Sequence, residues 1–226
     1  MTALRIDRVR AGYQQIPILH GVSLTLNEGE FLGILGHNGM GKSTLLKTIS
    51  GELPLSGGDL ALNGRSLNAL PQYRRARLGI GYVPQGRRIF PGISVRQNLE
   101  VGALAAGLPV STVDAVVADF PRLASILDRP GGVLSGGEQQ ILALARCLCG
   151  QPKVILLDEP TEGIQPSIRD EIIDTLQALR RRRPLTMLLV EQNIDFIQRL
   201  SDRMLSMVKG TLGPADLSGE HDAIEL

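Results

Sequence analysis

The chain has 226 residues, of which 43% are hydrophobic and 21% charged, as in an α/β domain with a buried core. Its formal net charge is +1, and it contains no Trp, three Tyr and four Phe. A near-neutral chain with few aromatic side chains lacks the basic field and the stacking surface that nucleic acid binding needs, so no nucleic acid partner is expected.

The apolar runs are all shorter than the roughly 18–20 residues of a membrane helix. The amino-terminal segment also lacks the apolar stretch of a signal peptide. We therefore expect a cytoplasmic chain.

Cys147 and Cys149 lie two positions apart in a helical pattern, so they point in different directions. Their spacing favours buried, reduced thiols over a metal or redox site.

In chain order, the first clear element is the alternation of Val22, Leu24 and Leu26 with polar residues, which predicts a half-buried strand. Phe31–Leu35 is an unbroken apolar run, typical of a strand buried on both faces of a parallel sheet. A glycine-rich loop follows, and Lys42–Ser50 then has helical character that ends at Gly51. A strand, a glycine loop and a helix in this order are typical of a phosphate-binding site.

The segment from about 88 to 150 differs in composition from the rest. It contains Ala- and Leu-rich helical stretches broken by Pro109, Pro121 and Pro130, which predicts a helical subdomain inserted into one domain spanning 1–226. Beyond it, strands are expected at 154–157 and 185–190, with an amphipathic helix over 167–183 between them. Alternating strands and helices predict an α/β fold with a mainly parallel sheet.

Residues 36–43 match the phosphate-binding pattern G-x-x-x-x-G-K-[ST] in full. Glycines allow backbone N–H groups to curl around phosphate oxygens, and the following helix directs its positive end at the same anion. Lys42 is placed to reach the β- and γ-phosphates, and the hydroxyl of Ser43 to ligate Mg²⁺. The pattern predicts a nucleotide site whose candidate residues are Gly36, His37, Asn38, Gly39, Met40, Gly41, Lys42, Ser43 and Thr44.

An acidic pair follows the apolar run at 154–157. Asp158 would stand at the carboxyl end of that strand, the edge at which α/β sheets bind ligands, and suits a Mg²⁺ shell. Glu159 comes next and is a candidate to orient or deprotonate the attacking water. Such a pair also occurs at ordinary helix-entry turns, but behind a complete phosphate loop the catalytic interpretation is favoured.

A third motif, LSGGEQQ at 134–140, precedes this strand. The chain here resembles the ABC ATPase family, whose LSGGQ signature stands shortly before the acidic strand. Ser135, Gly136, Gly137 and Glu138 would then lead a helix and form a second anion cradle. The resemblance covers essentially the whole chain and implies a P-loop NTPase, RecA-like core with an amino-terminal antiparallel β portion. It also implies ATP and Mg²⁺ as cofactors and a signature that closes on ATP held by another subunit.

Other positions match the family in order. Tyr13 resembles the aromatic residue that stacks on adenine; taken alone it is a weak signal, and the alternative is an ordinary strand-edge tyrosine. Gln85 resembles the glutamine that links Mg²⁺ to the membrane-facing surface. Two positions depart from the usual pattern, since Gln165 replaces an Asp and Gln192 replaces a His. Gln192 therefore enters the candidate catalytic set with Lys42 and Glu159.

These departures resemble the second ATPase of importers for branched-chain amino acids and related solutes, and the stretch TEGIQPSI at 161–168 favours urea or short amides. The partners implied are a second ATPase subunit, identical or paralogous, two transmembrane permease subunits and, indirectly, a solute-binding protein. The chain would lie at the cytoplasmic face of the membrane. The alternatives are an exporter, a lipid transporter, a non-transport ABC protein and a P-loop kinase, the last of which has no use for LSGGE.

Overall fold

Two β-sheets form the scaffold, and the computed structural model describes them within residues 1–215. The first sheet is antiparallel, in the order β2-β1-β4-β5. Its strands are β1 (Thr2–Tyr13), β2 (Ile16–Asn27), β4 (Gly57–Leu62) and β5 (Arg65–Ser66). This sheet is the predicted antiparallel portion.

The second sheet carries the functional strands, in the order β10-β9-β3-β8-β7-β6, and is parallel except at the edge strand β10. Its strands are β3 (Phe31–Leu35), β6 (Ile80–Val83), β7 (Val154–Asp158), β8 (Thr186–Glu191), β9 (Arg203–Val208) and β10 (Thr211–Pro214). The three apolar runs recognised in the sequence become β3, β7 and β8. They are adjacent in the centre of the sheet, which confirms the prediction of a parallel core.

The helices surround this second sheet. They are α1 (Lys42–Ser50), α2 (Gln72–Leu78), α3 (Val95–Ala105), α4 (Thr112–Val117), α5 (Pro121–Ala124), α6 (Gly136–Cys149), α7 (Pro166–Arg182) and α8 (Ile194–Leu200). Helix α1 has the predicted bounds and ends where Gly51 adopts a left-handed φ of 88°. Helix α7 begins one residue earlier than expected because Pro166, with its fixed φ, is a favourable first helical residue.

The parallel sheet is the middle of three layers. Along β3, Phe31 packs on one face with α3 to α8, whereas Leu32 and Ile34 pack on the other with α1 and the antiparallel sheet. The strands β7 and β8 alternate in the same way, as the two-residue period of a strand requires. Each of these fully buried side chains stabilises the fold by about 1.5–3 kcal/mol.

The segment between β6 and β7 is helical, as predicted, and comprises α3 to α6 together with a 3₁₀ turn at Gly131–Val133. Its division from the rest as a subdomain stays a prediction. On its last helix, Cys149 is buried and Cys147 half-buried, and both are free thiols. Burial raises the pKa of each thiol to about 12.

Within residues 1–215, no helix combines the length and apolar character that crossing a membrane would require.

Arg75 fastens the end of α1 to α2. Its side chain is buried, and Nη1 donates to the carbonyl oxygens of Thr48 (2.7 Å) and Ile49 (3.0 Å), while Nε donates to that of Leu70 (2.8 Å). The last carbonyls of a helix have no partner within the helix, so this guanidinium acts as a carboxyl-terminal cap. Burial lowers the pKa of Arg75, but three carbonyl acceptors compensate for its desolvation.

We therefore expect Arg75→Met to lower the free energy of unfolding by about 2–3 kcal/mol, because buried carbonyls lose a charged donor. Urea denaturation followed by circular dichroism measures this difference. The matched control is Arg77→Met on the same helix, where the side chain is exposed and the change should stay within about 0.5 kcal/mol. Equal stability of the two variants would show that the cap contributes nothing.

Candidate functional site

The carboxyl ends of three strands meet at one edge of the sheet. Leu35 at the end of β3 pairs in register with Glu191 of β8, and Asp158 of β7 pairs with Val190. The phosphate loop leaves β3 at this edge, and the backbone N–H of Gly36 donates to the carbonyl of Glu191 (3.2 Å). The predicted loop and the predicted acidic residues are thereby brought together.

The loop between β3 and α1 turns tightly at two glycines. Gly39 and Gly41 have φ values of 79° and 105°, a region that side chains other than glycine rarely adopt. Glycine is favoured at position 36 for a different reason, because a Cβ on Gly36 would lie 2.8 Å from the carbonyl oxygen of Met207. His37 and Asn38 are exposed at the rim of the loop, whereas Thr44 is buried in the first turn of α1. These are the candidate phosphate-binding residues, with Met40 half-buried between them.

Lys42 points into the loop from the start of α1. Its Nζ donates to the carbonyl oxygens of Gly36 (2.7 Å) and His37 (2.9 Å), and it lies 2.9 Å from Oε1 of Glu159. The side chains of this ion pair are 2% and 5% exposed. The ammonium group therefore lies against the backbone of the predicted phosphate loop.

Asp158 is held by two hydroxyl groups. The Oγ of Ser43 donates to Oδ1 (2.8 Å) and the hydroxyl of Tyr82 donates to Oδ2 (3.0 Å). Burial raises the pKa of Asp158, and these two hydrogen bonds partly offset that effect. Burial and the neighbouring charge of Asp158 raise the pKa of Tyr82, so its hydroxyl stays protonated and able to donate. A carboxylate and a hydroxyl at contact distance form the hard oxygen set that suits Mg²⁺.

Glu159 takes a strained backbone position directly after β7. Its φ is 46°, a left-handed value uncommon outside glycine, and its N–H donates to the carbonyl of Val190 (3.0 Å). The Oε2 atom faces two amides, Nε2 of Gln192 at 3.3 Å and Nε2 of Gln85 at 3.4 Å. One carboxylate therefore contacts a cation through one oxygen and two neutral donors through the other.

Gln192 lies where it was predicted, at the end of β8. Its Nε2 also donates to Oδ1 of Asn38 (2.9 Å), which connects the rim of the phosphate loop to Glu159. Gln85 has its shorter hydrogen bond to Oε2 of Glu162 (3.0 Å), and no hydrogen bond in residues 1–215 joins it to Ser43 or Asp158. The three candidate metal ligands are thus only partly assembled.

The signature turn begins α6. The Oγ of Ser135 accepts from the N–H of Glu138 (3.3 Å), and Oε2 of Glu138 accepts from the N–H of Ser135 (2.8 Å), which is a capping box. These hydrogen bonds lower the pKa of Glu138. A Cβ built on Gly136 would lie 2.9 Å from Nη2 of Arg87, and one on Gly137 would lie 2.8 Å from Cγ1 of Ile168, so a side chain at either position would require these neighbours to shift.

The remaining candidates lie at the periphery. Tyr13 is the last residue of β1, and with 43% of its surface exposed it is accessible to a flat ligand. Gln165 is exposed at the amino-terminal cap of α7, where its side chain makes no capping hydrogen bond.

Sequence reasoning missed two polar residues of the site, the half-buried Tyr82 and the buried Glu191. Glu191 accepts from Thr161 through Oε1 (2.6 Å from Oγ1, 2.9 Å from N) and from the N–H of Gln192 (2.8 Å) and Asn193 (3.1 Å) through Oε2. It therefore fixes both loops beside Glu159. A charged residue ending an apolar strand, as at Asp158, was the signal that could have revealed it.

Hydrolysis of a nucleoside triphosphate needs phosphates, a metal and an attacking water to meet at one point. This sheet edge offers a phosphate loop, a carboxylate suited to a metal ion and a second carboxylate within contact of one another. The fold and this site define a nucleoside triphosphatase of the P-loop class.

The signature turn and the comparisons narrow the class further. The ABC transporter family profile matches residues 19–162, which include both the phosphate loop and the signature, and the chain belongs to that family. Its ATP hydrolysis is coupled to transport.

Two relatives are similar along nearly their whole length. The probable branched-chain amino acid transport ATP-binding protein LivF of Archaeoglobus fulgidus is 37% identical over 98% of this chain and 96% of its own. The high-affinity branched-chain amino acid transport ATP-binding protein BraG of Pseudomonas aeruginosa is 38% identical over 92% of this chain and 90% of its own. In structure, a dimeric ATP-binding cassette bound to ADP and Pi has a TM-score of 0.86 at 23% identity, covering 94% of this chain and 97% of that one.

We expect Lys42→Ala to weaken ATP binding by at least about 100-fold, because the loop loses the cation that faces the phosphates. The protein should remain folded but melt earlier, since Glu159 is left buried without its cation. Fluorescent-nucleotide titration and thermal melting measure the two effects. Lys153→Ala, at an exposed lysine before β7, is the control.

The double variant Lys42→Ala, Glu159→Gln separates the two roles of the lysine. It removes the unpaired charge, so melting should recover towards the wild-type temperature while ATP binding stays weak. Recovery of binding together with stability would contradict a direct role of Lys42 at the phosphates.

We expect Glu159→Gln to keep ATP binding and to lower turnover at this chain's own site by about 10²–10⁴-fold, because an amide cannot accept the proton of the attacking water. ATP-dependent dimers should then accumulate and be visible by light scattering. Glu171→Gln, which removes a carboxylate paired with Arg122 on the surface of α7, is the matched control. Unchanged turnover in Glu159→Gln would exclude it as the base.

Proposed function

We propose that this chain is an ATPase subunit of an importer for branched-chain amino acids. The observation that carries the solute class is the near full-length similarity to two proteins named for branched-chain amino acid transport. The chain would pair with a second ATPase subunit, identical or paralogous, and bind two permease subunits at the cytoplasmic face of the membrane. A solute-binding protein would deliver the solute to those permeases.

The first step in this proposal is an exchange of partners at Lys42. Its Nζ is now 2.9 Å from Glu159 and bonded to two loop carbonyls. The β- and γ-phosphates carry more negative charge than the single carboxylate, so ATP would draw the ammonium towards them. Glu159 would then lose its cation and become available as an acceptor. The ion pair thus keeps the base inactive until nucleotide is present.

Asp158 and Ser43 would hold Mg²⁺, with Gln85 as a third ligand. When bound, this metal neutralises charge on the transferred phosphoryl group. The contact between Ser43 Oγ and Asp158 Oδ1 keeps together two oxygens that would both serve as ligands. Tyr82 fixes the other carboxylate oxygen and so orients Asp158. Gln85 would have to exchange its hydrogen bond to Glu162 for the metal.

Glu159 and Gln192 would act together on the attacking water. Glu159 accepts its proton, and Gln192, which already donates to Glu159, holds the water or the γ-phosphate with its amide. Glu191 keeps both residues in place through its bonds to the Thr161 and Gln192 backbones. The two residues that would act on the water thus come from two adjacent strand ends, those of β7 and β8.

The signature would act on the partner's nucleotide. Ser135, Gly136 and Gly137 stand at the amino terminus of α6, whose dipole favours an anion. Cβ atoms built on Gly136 and Gly137 would lie nearest to Arg87 and Ile168. Two cassettes facing head to tail would place each signature against the ATP on the other's phosphate loop, and a cassette of similar fold is dimeric. Tyr13 would stack on the adenine.

The transport assay compares uptake of labelled leucine and labelled urea in cells that carry the complete transporter, with the gene for this chain deleted and then restored. Restoration by the wild-type chain, but not by Lys42→Ala, of leucine uptake alone supports the proposal. Urea uptake alone would move the solute to the urea and short-amide class that TEGIQPSI suggests. Loss of neither, with export of a solute impaired, would overturn the assignment as an importer.

Gln192 leads to a prediction about the two sites of the assembly. A Gln amide donates a hydrogen bond but has no titratable nitrogen, unlike the His usual at this position. We therefore expect the site on this chain's phosphate loop to hydrolyse ATP about tenfold or more slowly than the partner's site, equivalent to about 1–3 kcal/mol of barrier.

The measurement places Glu→Gln singly at Glu159 and at the matching position of the partner, and compares ATPase rate and uptake. The partner's variant should be the more damaging. Equal damage, or greater damage from Glu159→Gln, would make Gln192 an adequate replacement for His. The departure at Gln165 is tested separately with Gln165→Asp, which should change the rate at the partner's site if that exposed loop reaches it.

A further inference from the structure

The carboxylate of Asp158 is held by a protein donor on each of its oxygen atoms. The Oγ of Ser43, in the first turn of α1, donates to Oδ1 (2.8 Å), and the hydroxyl of Tyr82 on β6 donates to Oδ2 (3.0 Å). Asp158 is 2% exposed, so water has little access to either oxygen. The two donors come from different elements, and they differ in what a bound metal ion would require of them.

The position of Tyr82 is fixed by strand register and by packing. Strands β6 and β7 are parallel, Tyr82 pairs with Leu156, and Asp158 lies two residues further along β7 on the same face. The long tyrosine side chain spans this diagonal, and its ring packs against the buried cluster that includes Leu156. Tyr82 is therefore a rigid donor, because its hydroxyl cannot move away without disturbing the parallel sheet.

Ser43 and Tyr82 would respond differently to a metal ion. Ser43 is itself a proposed ligand, so its hydroxyl would turn its proton away from Oδ1 and present a lone pair to the ion. Oδ1 of Asp158 would then be free to bind the same ion. No such exchange is required of Tyr82, which is not a proposed ligand and can continue to donate to Oδ2. One carboxylate oxygen thus becomes available while the other stays occupied.

We propose that Tyr82 is a specificity-determining residue that restricts Asp158 to binding through one oxygen and thereby favours Mg²⁺ over Ca²⁺. Mg²⁺ demands octahedral geometry with ligands at about 2.0–2.1 Å, whereas Ca²⁺ takes about six to eight oxygens and binds carboxylates through one oxygen or both. With Oδ2 occupied, Asp158 cannot supply the second oxygen that would help to complete the larger Ca²⁺ shell. The inference rests on the proposed role of Asp158 as a metal ligand.

The test measures the preference of the nucleotide-bound chain for the two ions. Isothermal titration calorimetry gives the dissociation constant of the non-hydrolysable analogue AMP-PNP in saturating Mg²⁺ and in saturating Ca²⁺, at concentrations where light scattering shows a monomer. In the wild-type chain, binding should be tighter with Mg²⁺. In Tyr82→Phe, which removes one hydroxyl and keeps the ring, the ratio of the two constants should fall by about five- to tenfold, because Oδ2 exchanges a hydrogen bond for a contact with Ca²⁺.

Two further variants separate selectivity from a merely structural effect. Tyr73→Phe removes the same hydroxyl from an exposed tyrosine on α2, where its partner is Arg74, and should keep the wild-type ratio. In an Asp158→Asn background, the addition of Tyr82→Phe should change the ratio by less than about 1.5-fold, because the carboxylate through which Tyr82 acts is absent.

An unchanged ratio in Tyr82→Phe, or a wild-type chain without preference for Mg²⁺, would overturn the inference. The proposed function would fail in a different way. If Asp158→Asn bound AMP-PNP in Mg²⁺ as tightly as the wild-type chain does, Asp158 would not be a metal ligand, and both proposals about it would be wrong. Weaker binding by Asp158→Asn together with an unchanged ratio in Tyr82→Phe would overturn the selectivity alone.

Discussion

The ion pair between Lys42 and Glu159 is the constraint on which the site depends. Two opposite charges stand 2.9 Å apart, almost fully removed from water, and neither is tolerable there without the other. The phosphate loop must bend around the lysine to supply two carbonyls, and the backbone of Glu159 must accept a left-handed φ to meet it. Strain of this kind costs about 1–3 kcal/mol and is maintained by the surrounding packing.

Glu159, the proposed base, is paired with the same cation that the proposed function assigns to the phosphates, and two glutamine amides contact its second oxygen. In that proposal ATP would be both the substrate and the agent that releases the base. Burying a carboxylate at this depth without a partner would cost free energy, because the charge loses its hydration. Pairing it with Lys42 offsets that cost.

The sequence was sufficient for the features that follow from local rules. Apolar runs predicted β3, β7 and β8, and the glycine pattern predicted a loop whose residues all lie where expected. Contacts between distant segments could not be predicted in this way. The hydroxyl of Tyr82 reaches Asp158 because β6 and β7 are neighbours, and Arg87, which lies beside Gly136, has a left-handed φ of 66°. Such contacts depend on strand register and on packing between distant segments. Neither can be read from the local pattern of residues in one sequence.

The buried thiols on α6 have a practical consequence for studying the motion between cassettes. Burial raises the pKa of Cys147 and Cys149 to about 12, so both thiols stay protonated at pH 8, whereas maleimides react with thiolates. A cysteine introduced on an exposed surface would therefore be labelled in preference to both. Spin labels or fluorophores can report distances across the assembly in a chain that keeps its native cysteines and hence its native packing.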